Sequence, residues 1–147
     1  MQCELCHGDG GELLVSREKY RVVAVGGTDG SSYQGFCRVI WNEHVREMTD
    51  LGQSDREHFM NAVYHLEAVL RLSLNPDKMN LASLGNMTPH LHWHIIPRFT
   101  NDASFPKPIW AASNTPAITT NAAAVATLDG TTDWKSAIRA SFRDVDG

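Results

Sequence analysis

The chain has 147 residues, 42% hydrophobic and 20% charged, a make-up that suits one ordinary globular domain with a real core. Its net charge of −4, with no Lys/Arg cluster to offset it, argues against a nucleic-acid-binding surface but leaves a small phosphate-bearing ligand allowed. The polar, glycine-rich N-terminus does not read as a signal peptide, and no apolar run approaches the ~20 residues of a membrane span. Cysteine is scarce (Cys3, Cys6 and Cys37), and an odd number in a chain read as unexported points to a reducing compartment, the cytoplasm.

In chain order, Glu12–Ser16 and Tyr20–Val25 read as strands, the second rich in β-branched residues. Gly26–Gly35 has the Gly, Asp and Ser density of a loop, and Phe36–Trp41 is a third strand. A short helical turn is expected around Val45–Leu51. Ser54 and Glu57 have capping-box spacing, and Phe59, Val63, Leu66 and Leu70 then recur at helical period until Asn75-Pro76 closes the helix. Met79–Leu84 and His90–Ile96 read as two more strands joined by a Gly-containing turn. Phe99–Trp110 reads as an ordered loop and Ala111–Gly130 as a mobile linker, after which Asp133 caps a last helix bearing Trp134, Ile138 and Phe142. The expected fold is α+β, an antiparallel meander sheet with one long helix packed on it.

Three of the seven histidines fall in His90-Leu91-His92-Trp93-His94-Ile95-Ile96. Side chains alternate faces along a strand, so the three imidazoles are expected on one face, with neighbours roughly 6–7 Å apart. Neutral imidazole is a nucleophile at physiological pH, and imidazolium can donate to a phosphoryl oxygen. A strand with merely half-exposed histidines is the plainer alternative. His-x-His is also a zinc-ligand spacing, so the pattern alone leaves a nucleophile and a metal cradle open.

The stretch from Asn80 to Arg98 resembles the signature of the histidine-triad (HIT) family of nucleotide hydrolases and transferases, His-φ-His-φ-His-φ-φ behind an Asn-bearing strand and a Gly-containing turn. Gly35 through His44 resembles the strand ahead of that family's helix. The resemblance covers residues 1–110 as a HIT domain and leaves 111–147 as a C-terminal extension of unknown role. It implies that His92 is the nucleophile, forming a nucleotidyl-histidine, and that His94 hydrogen-bonds the scissile phosphate, with His90 completing the triad. It implies phosphate or ribose contacts from Asn80 and Asn86. Asn86 stands where the family has Gln and Met87 where it has Ser or Thr, so a phosphate-directed hydroxyl is either missing or supplied by Thr88. The spacing from Asn80 to the triad is also one residue shorter than usual. For Asn86 a plain turn role is equally open.

Cys3-Glu4-Leu5-Cys6 has metal-knuckle spacing, and with His7 it spells a c-type haem site that would need export; a redox dithiol would need a preceding strand. The resemblance implies instead a closed structural zinc site at Cys3, Cys6, His44 and His90; packed thiols with a solvent-facing His44 are the alternative. His7, His58 and His65 receive no role. The expected activity is hydrolysis of a nucleotide phosphoanhydride or phosphoramidate, with no organic cofactor, a small nucleotide as partner, and no nucleic-acid or membrane partner. The family resemblance implies a homodimer. Nucleotidyl transfer, a non-catalytic nucleotide-binding module and a zinc hydrolase on the three triad histidines are the competing readings.

Overall fold

The computed structural model describes residues 2–111 and 133–145, so the expected linker lies almost wholly outside the described residues. A short helix α1 (Glu4–His7) precedes the hairpin β1 (Glu12–Ser16) and β2 (Tyr20–Ala24). Then come α2 (Gly27–Ser32), β3 (Cys37–Trp41), a 3-10 turn (Met48–Asp50), the long helix α3 (Gln53–Leu74), β4 (Lys78–Ala82) and β5 (His92–Arg98). Helix α4 (Trp134–Ser141) closes the described chain with a final 3-10 turn. The fold is α+β, as the sequence predicts. Its five strands pair antiparallel in the order β1-β2-β3-β5-β4, so β5 enters between β3 and the edge strand β4 after α3 has crossed the sheet.

One sheet face carries the core. Tyr20, Val22, Val39, Trp41, Leu91 and Ile95 pack there against Phe59, Val63, Leu66 and Leu70 of α3, the stripe visible in the sequence. Asn75 ends the helix in a left-handed conformation, φ 47° and ψ 56°, which asparagine tolerates better than most residues. Helix α4 is capped by Asp133, whose carboxylate accepts from the Lys135 and Ser136 amides, and it lays Ile138 and Phe142 into the same core. His65 meets this segment, its Nε2 3.1 Å from Ser141 Oγ and its ring edge-on to Phe142. No helix among the described residues is long and apolar enough to cross a membrane.

Three local expectations are corrected. The long helix starts at Gln53 behind a Gly52 cap that offers no side chain, so Ser54 lies inside the first turn and its capping box does not form. The buried Leu51 anchors the chain just ahead and sets the entry point instead. The Gly26–Gly35 stretch contains α2, a helix with no buried residue, held by local bonds such as Gly30 N–H to the Gly26 carbonyl. Glycine and serine composition hides such a helix, because it signals turns equally well. The third correction, where β5 begins, bears on the site.

A buried ion pair ties β5 to the following loop. Arg98 donates from Nε and Nη2 to the two oxygens of Asp102 at 2.7 and 3.0 Å, and further to Asn80 Oδ1 and the Lys107 carbonyl. Burial opposes the charge on Asp102, but Arg98 and the Ser104, Phe99 and Phe105 amides together hold its carboxyl below the usual range. Arg98 is 1% exposed, so Asp102→Ala leaves a buried cation without its partner. Urea unfolding should show a loss of about 3–5 kcal/mol. A loss under about 1 kcal/mol, the scale of a surface pair, would mean that water reaches the guanidinium.

Candidate functional site

The face of the sheet opposite the core carries the histidines. Register places Ile40 of β3 opposite His92 and Arg38 opposite His94, and residues directly paired in this way point to the same side. Strand β5 begins at His92, two residues later than expected. Leu91 is drawn off the strand by two backbone bonds, its amide to the Val45 carbonyl and its carbonyl to the Trp41 amide, and His90 sits in the bend before it. Two triad imidazoles therefore share the cleft rather than three. The rings of His92 and His94 meet edge to face at 4.9 Å.

His92 Nδ1 lies 2.5 Å from the His90 carbonyl oxygen. A carbonyl only accepts, so Nδ1 carries the proton and Nε2 holds the lone pair. Burial, partly offset by that hydrogen bond, keeps His92 below the ordinary imidazole pKa, with the Arg38 charge acting the same way. Burial lowers His94 further, to about 3, with His92 and Arg38 adding to it. Both rings are thus neutral at neutral pH, which is the nucleophilic form.

Two cavities of about 370 Å³ each flank His92. One is walled by Leu84, Gly85, Asn86, Met87, His94 and Trp110, the other by Glu4, Leu5 and Gly10. Arg38, Thr88 and His92 line both. The turn that carries Asn86 and Thr88 depends on Gly85, whose φ of 96° a side chain would strain. Met87 is 97% exposed at the rim of one cavity, while Thr88, the hydroxyl-bearing residue of the turn, lines both. Asn80 is not in either wall; its Oδ1 accepts from Arg98. Arg38 and Trp110 are wall residues that the sequence reading missed. The signal for Arg38 was a lone charge in an otherwise apolar strand; Trp110 arrives from a distant loop, edge-on to His94 at 5.2 Å.

His90 serves a different cluster. Its Nε2 donates to the Trp41 carbonyl at 2.6 Å, leaving Nδ1 unprotonated. That nitrogen lies 3.2 Å from His44 Nδ1, 3.4 Å from Cys3 Sγ and 3.5 Å from Cys6 Sγ, and Cys6 Sγ is 3.3 Å from His44 Nδ1. Bonds of ~2.3 Å to sulfur and ~2.0 Å to nitrogen in a tetrahedron space donor atoms roughly 3.3–3.8 Å apart. The four residues therefore fit one metal ion, and among the described residues they are the one such group of His, Cys, Asp and Glu. His90, His92 and His94 do not form a metal cradle of their own. Cys37 is buried elsewhere, and burial pushes its thiol up, so it has no part in this chemistry.

Comparison with known proteins agrees with this arrangement. The HIT domain profile matches residues 15–101, more than half of the chain. The chain belongs to the HIT family. A search of the curated proteins gives no match. Among solved structures, this HIT protein resembles a histidine triad protein from Bradyrhizobium japonicum, with 23% identity over 90% of this chain and 91% of that one, TM-score 0.68. It also resembles one from Marinobacter aquaeolei, with 20% identity over 92% and 90% of the two chains, TM-score 0.66. A histidine triad nucleotide-binding protein from Sulfolobus tokodaii matches at 18% identity over 90% and 84%, TM-score 0.57. At such identities the likeness is one of fold.

Proposed function

We propose that this HIT protein is a nucleotide hydrolase in which His92 is the nucleophile. The observation that carries the reading is the bond from His92 Nδ1–H to the His90 carbonyl, which commits Nε2 to the lone pair in a residue lining both cavities. Family membership supports a nucleotide as substrate. Leu84, Met87 and Trp110 give one cavity an apolar wall suited to a base, with Asn86 and Thr88 placed for polar contacts.

In the first step Nε2 bonds to phosphorus as the bond to the leaving oxygen or nitrogen breaks, and the leaving group takes that electron pair and a proton from solvent. Water then attacks the same phosphorus, the P–N bond breaks with its pair returning to Nε2, and the water proton is released. His94 and Thr88 hold the phosphoryl oxygens during both steps. Cys3, Cys6, His44 and His90 would hold a structural zinc, which when bound cross-links α1 to the core; no chemical step passes through it. The two cavities that meet at His92 also leave room for an acceptor other than water, so nucleotidyl transfer is the second reading. A homodimer, which the family resemblance implies, belongs to the same proposal.

A phosphorus–imidazole bond survives base and breaks in acid. Alkaline quench during turnover of a nucleoside phosphoramidate should leave a nucleotidyl group on His92, located by peptide mapping. Added phosphate acceptors should not divert product. Absence of any adduct during verified turnover would overturn the covalent mechanism, and capture by an acceptor would establish transfer.

A further inference from the structure

Arg38 has a position that structural needs do not explain. It lies on the central strand β3, opposite His94, and with Thr88 and His92 it lines both cavities. No carboxylate among the described residues forms an ion pair with it. Its Nη1 donates to the Gly10 carbonyl at 3.1 Å, and its guanidinium carbon stands 5.9 Å from the centre of the Phe36 ring. These contacts fix the head group without neutralising it. Its Nε is buried and has no hydrogen-bond partner among the described residues, and the same is true of Nδ1 on the facing His94. A buried donor left unsatisfied costs about 1–3 kcal/mol, so the Arg38 Nε–H beside an unpaired imidazole nitrogen marks a place where an acceptor belongs.

The charge balance points the same way. Arg38 is the sole cation among the residues that wall the cavities, whose other charge is the carboxylate of Glu4. A guanidinium is charged at every working pH and presents a planar fork to phosphate oxygens. A leaving group that is itself a terminal phosphate carries about two negative charges near neutral pH, and an amine carries none.

We infer that Arg38 is the specificity-determining residue of this cleft, binding the phosphoryl group next to the one His92 attacks and so favouring phosphoanhydrides over phosphoramidates. This rests on the hydrolase reading above. As the P–O bond to the leaving phosphate breaks, the electron pair goes to that bridging oxygen, and Arg38 stabilises the charge that gathers there. A neutral amine leaving group gains nothing from it.

The test is a comparison of ADP with an adenosine phosphoramidate in the wild type, Arg38→Gln and Arg38→Lys, with melting temperature read for each. Arg38→Gln should lower kcat/KM for ADP by about 10²-fold or more, as removal of one charge-stabilising donor does, and for the phosphoramidate by less than about 10-fold. Arg38→Lys should restore part of the loss on ADP alone, since a lysine keeps the charge without the fork. Equal losses on both substrates, or no loss on either, would overturn the assignment. If the wild type turns over neither substrate, the hydrolase reading fails, and equilibrium binding of ADP and AMP decides the role of Arg38 separately. The wild type should then bind ADP at least about 10-fold tighter than AMP, a gap of about 1.4 kcal/mol, and Arg38→Gln should close that gap. An unchanged ratio in the variant would overturn the role of Arg38 as well.

Discussion

His92→Ala should lower the turnover of a nucleoside phosphoramidate by at least about 10⁴-fold while the protein stays folded, the scale seen when an enzyme loses its only nucleophile. No neighbour can take over. His94 stands edge to face with His92, ring centres 4.9 Å apart, and is assigned to hold a phosphoryl oxygen rather than to attack. His90 directs its Nδ1 to the cysteine cluster and its Nε2 to the Trp41 carbonyl, so neither nitrogen faces the cleft. His94→Ala is the informative contrast, since losing one donor to a phosphoryl oxygen costs about 10²–10³-fold and leaves the nucleophile in place. Circular dichroism and melting must match the wild type for the comparison to count. Activity within about tenfold of wild type in His92→Ala would remove the nucleophile from the mechanism, because tenfold corresponds to only about 1.4 kcal/mol of barrier.

Much of this architecture was legible in sequence order, because its signals are local. The period-two alternation of Leu91, Trp93 and Ile95 with the histidines placed His92 and His94 on the face away from the core, and the helical stripe from Phe59 to Leu70 located the element that covers the other face. What was not legible depends on contacts made across the fold. His90 leaves the strand because Leu91 bonds to Val45 and Trp41, residues about fifty positions earlier. That departure turns one apparent triad into two sites, a nucleophile with its partner ring and a fourth metal-binding position. Trp110 and Arg38 reach the cavities from a loop and a neighbouring strand, and strand pairing is not written in either segment alone. The Ser54 box failed for a related reason: the buried Leu51 set the helix start, and tertiary packing outweighs a cap of about 1 kcal/mol.

Removing the metal should lower stability before it affects chemistry. The donor atoms of Cys3, Cys6, His44 and His90 all lie within 4.8 Å of one another, so an ion there would join α1 to the segment after β3 and to the approach of β5. Purified protein should carry about one zinc per chain, the stoichiometry of a closed tetrahedral site. An ion present at a thousandfold excess over its dissociation constant stabilises the fold by about 4 kcal/mol. For a chain of this size each kcal/mol moves the midpoint by roughly 2–4 °C, so chelation should lower Tm by roughly 8–16 °C. Cys6→Ser should show the same fall without chelator, because a serine hydroxyl replaces a soft thiolate poorly. The loss should begin at α1, which without the ion is left with Leu5 packed on Val23 and Ile40 and the bonds that Arg21 donates to the Leu5 and Gly8 carbonyls. Below the lowered midpoint, hydrolysis should persist, because the Nε2 bond to the Trp41 carbonyl still holds His90, whose own carbonyl orients His92. Metal-free protein that melts at the same temperature with and without chelator would eliminate the zinc proposal and leave the nucleophile untouched. Loss of turnover at a temperature where the chelated protein is still fully folded would instead show that the cluster positions His92 through His90.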